Sequence, residues 1–368
     1  MCRRRRARLK SRGPPKPRRK QVLRLRAAGE RRSRPGDNMP IEIIAEAAQG
    51  YEGDPKLAQL LARGAVRAGA DAVKFQLVYA DELATPDYQH YALFQGLEMP
   101  RAVWQAVVDE THQANRRFYF DVFGERSLRE AHALRADGVK IHSTDFFNAP
   151  LVRLALELMP RVFISFGGIA VDELDTFLQR HRIPPQGTVC LMYGFQADPT
   201  PIELNHLSRL GALRERFLGY QFGFMDHTDG SLEEALTVAL LALPFGVRCI
   251  EKHIGLDRAL QLEDYLSALS PELFQLFVQR IRRLEPALGT DRLELTPTER
   301  EYRQKAVKAV VAARAIAQGT VLAPEDLSLK RVARTTAANP LHRIEDAGGR
   351  TVTADLQPNQ PVMKEMVG

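Results

Sequence analysis

Two histidines pose the first chemical question. His227 and His253 each sit just past a short apolar run, in Phe222 to Thr228 and in Cys249 to Arg258, 26 residues apart. Buried parallel strands read as short apolar runs, and residues just past the C-terminal ends of barrel strands face the active site. Two imidazoles placed in this way can meet across a barrel rim as a split metal site. A lone histidine after a strand more commonly serves structure, so the reading depends on what neighbouring strands bring to the same rim.

Four other strand ends bring ionisable or hydroxyl groups. Ile43-Ile44-Ala45 ends in Glu46, a carboxylate that apolar surroundings tolerate only with a partner. Ala72 to Gln76 carries Lys74 and ends in Gln76. Gly138 to Ile141 carries Lys140, with Ser143 and Asp145 beyond it. Val162 to Ser165 ends in a hydroxyl, followed by Gly167-Gly168, whose backbone amides can approach an anion closely. Each group alone reads as a surface or salt-bridged residue. Together, two lysines, two hydroxyls and free amides at one rim make a cradle for phosphate and carboxylate.

The elements that position these groups follow from hydrophobic pattern. Eight short apolar runs recur: 41–45, 72–76, 118–122, 138–141, 162–165, 188–192, 218–224 and 247–251. Between them lie segments with apolar residues spaced at three and four, such as 57–68 and 152–158, and a helix-like stretch over 231–243. Eight such units in about 250 residues predict an α/β fold, a (β/α)8 TIM barrel, rather than an open sheet. The last barrel helix is expected over 271–288. Residues 289–304, with Thr296-Pro297-Thr298, read as a linker, and 305–368 read as a small separate domain of short strands. The expected boundaries are therefore 1–38, 39–288, 289–304 and 305–368.

Charge separates the first segment from the rest. Residues 1–38 hold 16 Lys or Arg against Glu30 and Asp37, a net of +14, which leaves −7 on the other 330 residues of a chain with net +7. That head has too little apolar surface to fold and reads as a disordered extension. It is taken as solvated or upstream sequence rather than as a nucleic-acid arm. It has no apolar core of a secretory signal, and the chain has no uninterrupted run of about 18 apolar residues, so a cytoplasmic protein without membrane association is expected. Cys2, Cys190 and Cys249 form no pair pattern, which excludes a disulfide framework and a cysteine zinc site.

Several segments together carry a resemblance. Ile44-Ala45-Glu46-Ala47 with Gly53-Asp54, Ala68 to Gln76, Val139-Lys140-Ile141 with Ser143, Asp226-His227-Thr228, and Ile250 to His253 with Leu256-Asp257-Arg258 resemble the sialic acid synthase family. Val311 to Leu322, Glu325-Asp326-Leu327 and Leu329-Lys330-Arg331 resemble that family's C-terminal antifreeze-like (SAF) domain. The resemblance implies condensation of phosphoenolpyruvate with an N-acyl amino sugar, a transferase reaction in which a divalent Mn²⁺ or Mg²⁺ polarises the sugar aldehyde. It implies His227 and His253 as metal ligands. Lys74, Gln76, Lys140, Ser143 and Ser165 would bind phosphoenolpyruvate. Glu46 and Asp145 become the catalytic candidates and Asp264 a sugar-binding residue. It further implies a homodimer whose SAF domain caps the partner's site, and a place in cell-surface carbohydrate biosynthesis.

The chain departs from the family pattern mostly around the acceptor, and at residues 120–123 near the phosphate, where hydroxyls are lost. Ala47 to Glu52 lacks the usual Asn-His pair, Phe120-Asp121-Val122-Phe123 replaces a Ser-Thr-Pro-Phe, and Thr144-Asp145 replaces a Gly-Glu. Met192-Tyr193-Gly194, Leu262 to Leu266 and Lys308-Ala309 also differ from the usual residues. Two further readings stand beside the synthase. One is a catalytically inactive sugar-phosphate-binding or regulatory relative. The other is a lysine Schiff-base aldolase, which would need Lys74 or Lys140 in an apolar pocket.

Overall fold

The structure, a computed structural model, describes residues 40–185, 187–333 and 339–368. Residues 1–38 and Cys2, for which a disordered extension is expected, lie outside the described residues. The described chain falls into two units, one ending at Leu288 and one spanning Gly289–Gly368.

The first unit is a closed barrel of eight parallel strands in sequential order. The strands are β1 (Glu42–Ala48), β2 (Ala72–Gln76), β3 (Arg117–Val122), β4 (Gly138–Ile141), β5 (Val162–Ser165), β6 (Val189–Tyr193), β7 (Gln221–Asp226) and β8 (Cys249–His253). β1 closes the ring by pairing with β8, with Glu46 opposite His253. All eight predicted strands are present. The last two run two residues further toward the C terminus than their apolar runs, so that Asp226 and His253 end strands instead of following them.

The surrounding helices bury one stripe each. Helix Pro55–Arg67 begins with Pro55 and is capped by Asp54, whose carboxylate accepts from Lys56 N at 2.6 Å and Leu57 N at 3.3 Å. Its buried residues, Ala58, Leu61, Ala62 and Ala65, repeat at three and four and face the strands. The last helix is α-helical over Pro271–Leu284 and tightens to a 3₁₀ turn at Glu285–Leu288. The stretch 231–243, read as helical from sequence, is instead two 3₁₀ segments, Glu233–Leu236 and Val238–Phe245. Val238 to Phe245 is apolar at every position, so it has no polar face to set a 3.6-residue repeat, and Pro244 withdraws one amide donor.

Alternation along the strands sorts the barrel interior into layers. At the N-terminal end Glu42 accepts from Tyr119 Oη at 2.6 Å and Arg117 at 2.5 Å. Above it, Ile44, Ala72, Phe163, Cys190, Met192 and Cys249 form an apolar layer. The Sγ atoms of Cys190 and Cys249 are 3.8 Å apart, in hydrogen-bond contact without a disulfide, in keeping with two core thiols. The next inward positions toward the C-terminal rim are ionisable, and these build the site.

The second unit holds a separate core of Val310, Ile316, Leu322, Leu341, Val352, Leu356 and Val362. It is built on β9 (Ala309–Ala312) paired antiparallel with β10 (Leu327–Lys330), plus single bridges such as Ile316 to Leu356. The segment read as a linker contains helix Pro297–Ala306, with a reciprocal cap between Thr296 and Glu299. No described helix is long and apolar enough to cross a membrane.

Candidate active site at the C-terminal rim of the barrel

A cavity of about 320 Å³ opens at the rim, lined by Glu46, Gln76, Lys140, His142, Ser143, Ser165, Gly167, Gly168, Gly194, Phe195, Gln196, Met225, His227, Glu251 and His253. Seven of the ten residues singled out from sequence line it: Glu46, Gln76, Lys140, Ser143, Ser165, His227 and His253. Lys74 lies beneath the cavity, fully buried. Asp264 stands behind His253, its carboxylate 3.8 Å from His253 Nδ1 and accepting from Gln196 Nε2. Asp145 does not line the cavity. Its carboxylate accepts from Asn148 Nδ2 at 3.1 Å and Thr144 Oγ1 at 3.4 Å, on a 3₁₀ turn, Ser143–Asp145, that points it away. Burial raises its pKa, against those two hydrogen bonds.

The two histidines come together. Their ring centroids are 5.1 Å apart and both rings are nearly buried. Burial lowers His227 to about 3, reinforced by His253, and burial likewise lowers His253 to about 3 against the pull of Glu251. Both are therefore neutral and offer lone pairs at neutral pH. His227 Nδ1 is buried without a hydrogen-bond partner, an orphan that a cation would satisfy. These features fit a divalent cation. Among the described residues no three or more His, Cys, Asp or Glu are grouped as a ligand set, so the pair would supply two ligands, with water or substrate completing the shell.

Lys252, next to His253 on β8, holds the geometry of this pair. Its ammonium donates to the Thr228 carbonyl at 2.8 Å and lies 3.3 Å from Asp226 Oδ1, which in turn accepts from Thr228 N at 2.9 Å. The residues on both sides of His227 are thus pinned by the neighbour of His253.

In the wall and floor of the cavity, register brings five charges together. Lys74 donates to Asp121 Oδ1 at 2.6 Å, lies 3.5 Å from Glu251, and contacts Glu46 directly. Lys140 donates to Glu251 at 2.6 Å and lies 3.2 Å from Asp121 Oδ2. Burial pushes the Glu251 carboxyl up, but Lys140 and Lys74 outweigh it and bring it to about 2. Glu46 is further fixed by accepting from Ala48 N at 2.7 Å, and Gln76 by accepting from Gln49 Nε2 at 2.6 Å.

Asp121, Glu251 and His142 are site residues that sequence reasoning did not single out. Asp121 stands inside an apolar run, where one charged residue at an inward position was the available signal. Glu251 lies two residues before His253 and so shares its face of β8. His142 lies at the cavity wall beside Ser143, held neutral by burial, which lowers it to about 4.

On the far wall the backbone itself approaches the cavity. A Cβ at Gly167 would stand 2.5 Å from the Gly194 carbonyl oxygen, so β5 and β6 meet there only through glycine.

Comparisons with known proteins show the family of the chain. The sequence matches the NeuB family model over residues 61–292 and the SAF domain model over 307–368. It is 27% identical over 327 residues to N,N'-diacetyllegionaminic acid synthase of Legionella pneumophila, covering 84% of this chain and 90% of that one. It is 26% identical over 356 residues to N-acetylneuraminate-9-phosphate synthase of Homo sapiens, covering 90% and 94%. The crystal structure of N-acetylneuraminic acid synthetase from Leptospira borgpetersenii superposes with a TM-score of 0.66 at 25% identity, covering 73% of this chain and 93% of that one. The chain therefore belongs to the NeuB family, with a closed eight-stranded barrel followed by a SAF domain.

Proposed function

We propose that the chain is a nonulosonate synthase that condenses phosphoenolpyruvate with the open-chain aldehyde of an N-acyl amino sugar and releases phosphate. The observation that carries this reading is the convergence, in a chain of this family, of the histidine pair with Glu46, Gln76, Lys140, Ser143 and Ser165 on one cavity. Carbon 3 of phosphoenolpyruvate bonds to the aldehyde carbon, water adds at carbon 2, and the bond to phosphate breaks.

In this reading His227 and His253 hold a divalent cation. When bound, that cation supplies Lewis acidity toward the aldehyde oxygen. The hydroxyls of Ser143 and Ser165, the amides at Gly167-Gly168 and the Lys140 ammonium receive the carboxylate and phosphate of phosphoenolpyruvate. Because these groups are set before substrate arrives, they stabilise charge developing at carbon 2 without reorganising. Glu46 and Glu251, both at the cavity, are placed to take a proton from the attacking water. Asp264 and Gln196, linked to each other beside His253, are placed to orient acceptor hydroxyls. The SAF unit is assigned by resemblance to close the site of a partner copy. Sedimentation of the full chain should then give twice 41.4 kDa, and a monomer at assay concentration would refute that assignment.

One observation favours a catalytically inactive binding relative: both lysines are already ion-paired inside the protein. Turnover separates the readings. With Mn²⁺ and a panel of N-acyl hexosamines, phosphate release from phosphoenolpyruvate should require one sugar and stop on chelation. Absence of release with every sugar, while phosphoenolpyruvate still binds, would favour the binding protein.

A further inference from the structure

The five charged groups at the cavity, with Glu46, Lys140 and Glu251 lining it and Lys74 and Asp121 behind them, do not balance. Lys74 and Lys140 carry two positive charges, and Glu46, Asp121 and Glu251 carry three negative ones, a formal net of −1. All five are nearly or fully buried, where solvent screens them poorly. Lys140 is the one cationic side chain among the residues lining the cavity, and it is already engaged by Glu251 and Asp121. Among the described residues lining the cavity, an entering phosphate group therefore meets no free ammonium.

Asp121 is the residue that ties both lysines down. β3 sits between β2 and β4, and the strand register sets Asp121 opposite Gln76 on one side and Lys140 on the other. From that position its two oxygens reach different lysines, Oδ1 to Lys74 at 2.6 Å and Oδ2 to Lys140 at 3.2 Å. Asp121 itself does not line the cavity, so it acts on a ligand only through the lysines. Removing its charge would leave two lysines against two carboxylates, a neutral floor, with Lys140 freer to turn to an anion.

We propose that Asp121 is a positioning residue that, by bridging Lys74 and Lys140, sets the cavity's hold on phosphate-bearing anions and keeps it weak. The proposal rests on the reading of this cavity as the phosphoenolpyruvate site. Its consequence for that reaction is that inorganic phosphate, the product anion, dissociates readily instead of occupying the site.

The test is titration calorimetry of the full chain with inorganic phosphate and, separately, with phosphoenolpyruvate. Asp121→Asn is expected to tighten inorganic phosphate by about tenfold or more, the direction a lost negative charge near an anion demands. The double variant Lys74→Met with Asp121→Asn restores the net charge of −1 and should return phosphate affinity toward that of the parent. A loss of packing alone would not increase affinity, so unchanged or weaker phosphate binding by folded Asp121→Asn overturns the proposal. A gain retained in the double variant overturns the charge argument as well. Should Asp121→Asn fail to fold, the parent protein still decides. Without divalent cation it should hold inorganic phosphate with a Kd above about 1 mM, and much tighter binding would contradict a weak floor. If phosphoenolpyruvate is neither bound nor turned over while Asp121→Asn still gains phosphate affinity, the substrate assignment fails and the role of Asp121 stands.

Discussion

Replacing His227 or His253 by alanine is expected to lower metal-dependent turnover by roughly a thousandfold while leaving the barrel folded, since a lost Lewis-acid site removes a leading source of charge stabilisation. Burial lowers both rings to about 3, their centroids stand 5.1 Å apart, and among the described residues His227 Nδ1 has no hydrogen-bond partner. A cation would satisfy that orphaned nitrogen. Both rings face the cavity, so truncation opens space to water instead of leaving a dry void in the core. The check is kcat with saturating Mn²⁺, alongside Mn²⁺ binding by calorimetry and a thermal melt. Full activity in both variants would remove the histidines from the metal assignment.

Lys74→Met should act on stability first. The ammonium is fully buried among Glu46, Asp121 and Glu251, and methionine approximates its volume without its charge. Removal leaves three buried carboxylates to share Lys140, and breaking a buried ionic cluster from one side costs about 3–5 kcal/mol. The expected loss in melting temperature is roughly 10 °C for a unit of this size, read by far-ultraviolet circular dichroism. The conservative Lys74→Arg should fare no better, because a fully enclosed site has no room for a planar guanidinium. A Lys74→Met variant that melts with the parent would mean that the cluster is not held together by this lysine.

These two expectations also mark where the sequence was legible. The eight strands were readable because each is buried on both faces and therefore apolar for most of its length. The histidine pair was readable because each ring ends such a run. Lys74 was read as a rim group at the end of its strand, whereas it is fully buried and does not line the cavity. It sits one position of the same face below Gln76, and only the closed barrel reveals that Gln76 reaches the cavity while Lys74 lies under it. Asp121 was hidden for a related reason. Its partners lie on β2 and β4, and strand register is a tertiary fact that local pattern does not encode.

Asp145 and the stretch 231–243 show the opposite failure, in which local pattern suggested more than the fold delivers. Its place beyond β4 and the family resemblance made Asp145 a site candidate, yet on a 3₁₀ turn its carboxylate is taken up by Asn148. Residues 231–243 read as helix-like, but Val238–Phe245 is apolar throughout, so it has no polar face to set a helical repeat, and the stretch forms 3₁₀ turns. The SAF unit was legible mainly through its resemblance, because β9 and β10 are four residues each and its remaining pairings are single bridges.

The central claim is that a carbon–carbon bond forms between phosphoenolpyruvate and an aldehyde in the cavity holding His227 and His253. Incubation with phosphoenolpyruvate labelled with ¹³C at carbon 3, Mn²⁺ and the sugar panel, followed by carbon NMR, tests it directly. The account predicts that with one sugar the label appears in a methylene bonded to the former aldehyde carbon, with inorganic phosphate formed in equal amount. Label that stays in phosphoenolpyruvate, or emerges only in the methyl group of pyruvate, would contradict it.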